Sequence, residues 1–212
     1  GDKMNWQNFP RKDIQIKTIN GDTLNASLRK SILAPEGYKL VIVDLSQIEC
    51  RVLMWLAGEE EHLETFRAGR DAYCELASVI YGRPINKIDD PDERQLGKMI
   101  KLSCGYGTGW RKLQNSARIG ASGGKPIILN DEEAKACINA YRHTHPKVAD
   151  RKSGYWTQCN NLLSFIANGG EGEFGPFTIK DKKVYSPTGS YINYSSLVSE
   201  FDEETGKMGW FF

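Results

Sequence analysis

Two sets of residues have the types and spacing to do chemistry. The first is Asp44 with Glu49. Asp44 ends the apolar run Leu40-Val41-Ile42-Val43, and a helical pattern starts directly behind it. Strand, carboxylate, helix is a rigid mounting for an acid at a sheet end. Phosphoryl-transfer enzymes need such a hard oxygen ligand to hold Mg²⁺ against phosphate oxygens. The adjacent carbonyl, that of Leu45, is placed as a second ligand. The plainer alternative stays open: Asp44 ends a strand, and Glu49 completes a helix cap begun by Ser46. The second set is Arg94, Lys98, Leu102 and Tyr106, with Gly107 behind them. Steps of four keep these side chains on one slowly drifting helical stripe. The stripe is cationic at its N-terminal end and apolar-aromatic at its C-terminal end. That polarity suits a nucleoside triphosphate laid along a helix, with phosphates on Arg94 and Lys98 and sugar and base on Leu102 and Tyr106. Lys101 stands beside them as a further charge. A basic helix face is more often merely solvated, and the ordered series of four argues against that.

The elements that must position these residues follow from the pattern. Residues 1–37 read as irregular, with turns at Asn20-Gly21-Asp22 and Pro35-Glu36-Gly37 and a possible short strand over Arg29–Leu33. Lys39–Asp44 reads as a strand buried on both faces. Ser46 and Glu49 read as a capping box for a helix whose stripe is Ile48, Val52, Leu53 and Leu56. Helices follow at Glu59–Ala68, Asp71–Tyr81 and roughly 92–104, the last with acids at its positive end. Trp110–Ile119 is a further helix, and Ala121-Ser122-Gly123-Gly124 a flexible tip. A helix capped at Asn130–Glu133 runs to His143, and another runs from His145-Pro146 to Ala167. Residues 168–212 alternate apolar and polar residues between glycines, the pattern of short antiparallel strands.

The 212 residues are 40% hydrophobic and 26% charged, with net charge +1. This is globular composition, and no apolar run reaches the roughly 18–20 residues of a membrane span. The N-terminus lacks an apolar signal core, and Gly1 is not a natural start, so the chain reads as a piece. Five scattered cysteines without Cys-x-x-Cys point to reduced thiols in a cytoplasmic protein rather than to zinc or disulfides.

Taken together, the stretches resemble the family A (Pol I-like) DNA polymerases. Asp44-Leu45-Ser46-Gln47-Ile48-Glu49-Cys50-Arg51 is similar to that family's motif A, and Arg94 through Gly107 to its motif B. Asn5-x-Gln7-Asn8-x-Pro10, Leu33-Ala34-Pro35-Glu36-Gly37, Gly69-Arg70-Asp71-Ala72-Tyr73 and Tyr141-Arg142-x3-Pro146-Lys147-Val148 match further segments in the family's order. Gln95-x-Gly97-Lys98 and Ser186-Pro187-Thr188-Gly189 lean toward the phage and prophage branch.

The resemblance implies an α+β fold: a partial palm sheet, mostly helical fingers and a C-terminal antiparallel β region. The palm would cover 1–58, the fingers and following helices 59–167, and a β-rich return 168–212. It implies two Mg²⁺ ions, with Asp44 and the Leu45 carbonyl as ligands and Lys98 protonating the leaving pyrophosphate. Arg94, Lys98, Leu102, Tyr73 and Gln47 would meet the dNTP. Glu49 would be the steric gate that selects deoxyribose. Tyr106, Gly107, Gln7 and Asn8 would lie at template or primer, and Arg51 would be structural. The implied partners are primer-template DNA, dNTPs and a remaining polymerase segment, in the cytoplasm of a phage-infected host. The implied function is DNA-templated DNA synthesis; the alternative is a degenerate module that only binds primer-template.

The chain departs from the family pattern in several places. Leu45 replaces Tyr, Tyr73 replaces His, Leu102 replaces an aromatic residue, Ser103 replaces Gly, and Ser190 stands where phage relatives have Arg. There is no His-Asp-Glu, the motif carrying the second metal-binding acid; none of His62, His143 and His145 precedes an acid. Glu200–Glu204 fits a solvated hairpin turn better than that ligand. The expectation is therefore a catalytically incomplete chain.

Overall fold

Two helices begin at a side chain that accepts from the orphan N–H groups of the first turn, Asp71 and Asn130, and two others begin with a proline at the first position, Pro91 and Pro146. The computed structural model describes residues 13–120, 125–202 and 207–211. The chain divides into two compact units, residues 1–46 and 47–212.

In the first unit, β1 (Ile14–Lys17) and β2 (Thr23–Ala26) form an antiparallel hairpin, with Ile14 opposite Ala26 and Lys17 opposite Thr23. The expected Asn20–Asp22 turn closes it, and Gly21 adopts the left-handed φ of 85° that the turn requires. Reading this region as irregular was wrong on that point. Arg29–Ser31 is a 3₁₀ turn, not a strand. Lys39–Asp44 is not a strand either. No described strand pairs with it, and Val41, Ile42 and Val43 are 83%, 90% and 79% exposed. An apolar β-branched run favours extended backbone, but a strand also needs a ladder partner, which local pattern cannot supply.

In the second unit the helices are α1 (Ile48–Ala57), α2 (Glu60–Arg67), α3 (Ala72–Tyr81), α4 (Pro91–Gly105), α5 (Trp110–Arg118), α6 (Asp131–Thr144), α7 (Pro146–Ala149) and α8 (Tyr155–Ala167). The first of these helices starts one residue later than the expected Ser46 cap. The N-cap of α1 is Gln47, in a left-handed conformation with φ 55° and no side-chain cap. Its buried residues are Cys50 and Met54, whereas Ile48 and Val52 of the expected stripe are exposed. Asn130 and Glu133 do form a capping box on α6. The single helix expected from Pro146 to Ala167 is broken. The Asp150 carboxylate accepts from the Lys152 and Ser153 N–H groups, and Gly154 lies so close to Asp150 that a Cβ there would meet its backbone at 2.6 Å.

One core joins α1, α3, α4, α5, α6 and α7 through Met54, Leu76, Leu96, Ile100, Leu113, Tyr141 and Val148. Four antiparallel strands follow in the order β3 (Gly172–Phe174), β4 (Phe177–Lys180), β5 (Lys183–Tyr185) and β6 (Tyr191–Asn193). They close a second core against α8 through Ile166, Ile179 and Leu197. The hairpin β7 (Val198–Asp202) and β8 (Lys207–Phe211) completes the β-rich C-terminal region, with Val198 opposite Phe211. Helices and small antiparallel sheets together make the fold α+β. Among the described residues no helix is long and apolar enough to cross a membrane.

Candidate functional site

The expected site residues fall in different units. Asp44 and Leu45 belong to the first, and both are exposed. The Asp44 carboxylate makes no hydrogen bond or ion pair among the described residues. A carboxylate and a neighbouring carbonyl are hard oxygen donors of the kind Mg²⁺ takes, and an exposed carboxylate can reach an ion without breaking another bond. Among the described residues no three His, Cys, Asp or Glu side chains cluster as a metal cage. Gln7 and Asn8 lie outside the described residues, as do Ala121–Gly124 and the acids Glu203 and Glu204.

The second unit brings the helical stripe together as its spacing predicts. Asp92 and Glu93 occupy the first turn of α4 and Pro91 its N1 position. Leu96, Met99, Ile100 and Cys104 turn inward. Arg94, Lys98 and Leu102 are left half-buried along the other face, and Tyr106, with Gly107, is exposed at its end.

At the N-terminal end of the stripe, Arg94 is held from two sides. Its Nε donates to Asp71 Oδ2 at 2.8 Å, and its guanidinium lies 5.3 Å from the centroid of the Tyr73 ring. The other Asp71 oxygen caps α3, accepting from the Tyr73 and Cys74 N–H groups at 3.0 and 3.2 Å. Burial resists the charge on Asp71, but its Arg94 and backbone hydrogen bonds win and hold the carboxyl below its usual range. Burial pushes the Tyr73 phenol up to about 12, so it stays a neutral hydroxyl. The close approach of α3 and α4 depends on Gly97: a Cβ there would overlap the Tyr73 carbonyl and sit 3.0 Å from the Ala77 Cβ. Asp71 and Gly97 were absent from the expected site. Asp71 had a local signal as a helix N-cap, but nothing in the spacing ties it to Arg94, 23 residues away.

At the C-terminal end, the Tyr106 phenol sits against the Glu49 carboxylate. Partial burial first, and the hydrogen bond to Glu49 second, push it up. Glu49 is exposed in the first turn of α1. Glu49, Cys50, Leu53, Lys101, Leu102 and Tyr106 line a cavity of about 340 Å³. Arg51 stacks on the Phe66 ring at 4.6 Å, in keeping with a structural role. Gln47 does not reach the stripe by any hydrogen bond among the described residues, and its Oε1 is buried without a partner there.

Lys101 is not a solvated extra charge. It is 2% exposed, and its Nζ lies 2.8 Å from His145 Nε2. Burial pushes its ammonium down to about 8. As an ammonium it can only donate, so His145 Nε2 accepts and the ring proton sits on Nδ1, 3.0 Å from the Tyr141 carbonyl that receives it. The sequence carried a sign of this. Gly97, Lys101 and Cys104 follow in steps of four and three, which puts Lys101 on the buried stripe.

Comparison with known proteins finds several DNA polymerases among the similar sequences. DNA polymerase I, thermostable, of Thermus aquaticus is 36% identical over 144 residues, covering 68% of this chain and 15% of the relative. DNA polymerase I of Pseudomonas aeruginosa is 32% identical over 144 residues, covering 68% of this chain and 14% of the relative. That of a Helicobacter pylori strain is 31% identical over 128 residues, covering 60% and 13%. The chain thus spans about one-seventh of the length of these relatives. The family model described as DNA polymerase family A matches residues 2–163 of the 212, and the chain belongs to that family.

Proposed function

We propose that this chain supplies the nucleotide-binding helix and one metal-binding carboxylate of a DNA-templated DNA polymerase. The observation that carries the reading is the order along one face of α4 and its C-cap: a held guanidinium, a lysine, an apolar side chain and a phenol, above a buried opposite face. In this reading Arg94 and Lys98 take the triphosphate, and Leu102 and Tyr106 take sugar and base. Glu49, at the Tyr106 hydroxyl, fills the space of a ribose 2′-OH. Lys98 is the group that delivers a proton to departing pyrophosphate. Tyr73 and Gln47 border the nucleotide, while Gln7, Asn8 and Gly107 border template and primer.

Asp44 and the Leu45 carbonyl would hold Mg²⁺, which supplies charge neutralisation at phosphate and activation of a primer hydroxyl. The units 1–58, 59–167 and 168–212 correspond in this account to palm, fingers and a return toward the palm. The Gln95-x-Gly97-Lys98 pattern supports a phage-type replication enzyme acting in a host cytoplasm. So does the turn at Ser186–Ser190, whose Gly189 has φ 84°.

The test is primer extension. The 212-residue chain alone should not extend a primer, and should do so when supplied with a polymerase segment carrying the second metal-binding acid. Asp44→Ala should abolish that restored activity. Extension that survives Asp44→Ala would overturn the assignment.

A further inference from the structure

Arg94 is an unusual arginine for a helix surface. Most exposed guanidinium groups sample many rotamers, and a ligand must order them at an entropic cost. Here the Nε edge is fixed by Asp71 Oδ2 at 2.8 Å, and one face is backed by the Tyr73 ring. The Cys74 thiol is a further neighbour of the same guanidinium. Asp71 is itself anchored, because its Oδ1 accepts from the first turn of α3. The Asp71 and Arg94 side chains are 24% and 20% exposed, so water screens the pair only partly.

We infer that Asp71 is a positioning residue for triphosphate recognition: it holds Arg94 by its Nε edge, with the guanidinium oriented to take phosphate oxygens. The inference rests on the triphosphate reading of the α4 stripe and adds a residue which that reading does not assign. Two effects of Asp71 on a bound anion oppose each other. By Coulomb's law alone a nearby carboxylate repels a triphosphate, so neutralising it would tighten binding. By preorganisation it orients the fork, so neutralising it would weaken binding. The carboxylate is already compensated by a guanidinium and two backbone N–H groups, so orientation is the larger effect. The sign of the change therefore separates positioning from plain charge.

Asp71→Asn is the informative substitution, because asparagine caps helices as well as aspartate does and the fold is kept. Titration of dATP with Mg²⁺ into the 212-residue chain, followed by calorimetry, gives the affinity. Asp71→Asn should weaken dATP binding about tenfold, with dAMP binding unchanged and the melting temperature close to that of the parent. In an Arg94→Ala background it should cost nothing further. Unchanged or tighter dATP binding in Asp71→Asn, while Arg94→Ala still weakens it, would overturn the positioning role alone. If Arg94→Ala also leaves dATP affinity unchanged, the triphosphate reading fails, and the role of Asp71 with it.

Discussion

Tyr106 is exposed, and its phenol lies beside the carboxylate of Glu49, a residue from a different helix. This neighbourhood places the proposed sugar gate at the end of the α4 stripe, so the two should act together. In a polymerase containing this chain, Glu49→Ala should open room beside the sugar and raise ribonucleotide incorporation by at least tenfold, about the discrimination that one steric contact provides. Tyr106→Phe should relax it less, since the carboxylate stays but loses its partner. Ribose-to-deoxyribose ratios from single-nucleotide insertion measure both, and an unchanged ratio in Glu49→Ala would remove the gate assignment. The residues legible in the sequence were those sharing one helix face: Arg94, Lys98, Leu102 and Tyr106 declare themselves by spacing. Asp71 did not, because its partnership with Arg94 exists only once α3 and α4 are packed.

At the scale of elements, the placement of Arg94 over Tyr73 depends on how closely α4 lies on α3. Gly97 sets that distance. Alanine is the better helix former, so on an isolated helix Gly97→Ala would stabilise by about 1 kcal/mol. In the folded chain the added methyl would overlap the Tyr73 carbonyl, which is backbone and cannot rotate aside. Overpacking of this kind costs about 1–3 kcal/mol and should win. Gly97→Ala should therefore lower stability in urea unfolding and weaken dATP binding as α4 moves off Asp71. Unchanged stability with unchanged affinity would show the contact to be slack. Element boundaries were readable where chemistry is local: the Asp71 and Asn130 caps, Pro91 at a helix start, and the alternating strands after Gly170. They were lost where the deciding partner is distant or where a turn competes. Val41–Val43 has strand composition but no described ladder partner. The helix through Asp150 yields to a carboxylate that captures its own backbone N–H groups. The Ile14–Lys17 strand does alternate, but one polar hairpin with four-residue arms gives a faint period-two signal.

At the scale of the whole helical unit, a buried polar stack makes stability depend on pH. The His145 ring lies 3.8 Å from that of His62 and 4.2 Å from that of Tyr141, all nearly parallel, with Lys101 on its Nε2. The titratable groups that favour the Lys101 ammonium are the Cys50 thiol of α1, Glu75 of α3, and Glu59 between α1 and α2, and burial keeps that thiol protonated. Burial first and the Lys101 ammonium second hold His145 well below the usual imidazole value of 6.5 and lower His62 as well. Below 6.5 the unfolded chain therefore binds protons that the folded chain refuses, and stability falls as pH falls. Lys101 acts at the alkaline end. Folded, it loses its proton near 8, whereas the unfolded side chain keeps it to 10.5. Over that window the unfolded state holds more protons, so this group raises stability with pH, by up to about 1.4 kcal/mol per pH unit. Lys101→Met keeps the stem and removes the charge. It should cost about 1–3 kcal/mol near neutral pH, because His145 Nε2 is left buried without a donor. Its distinguishing mark is the slope: urea unfolding should show the parent gaining on Lys101→Met between pH 8 and 10. His145→Gln, which can still accept from Lys101 but does not titrate, should flatten the acid limb between pH 6.5 and 5. A parent-minus-variant difference that stays constant across pH for both would mean that neither group is held in the protonation state described.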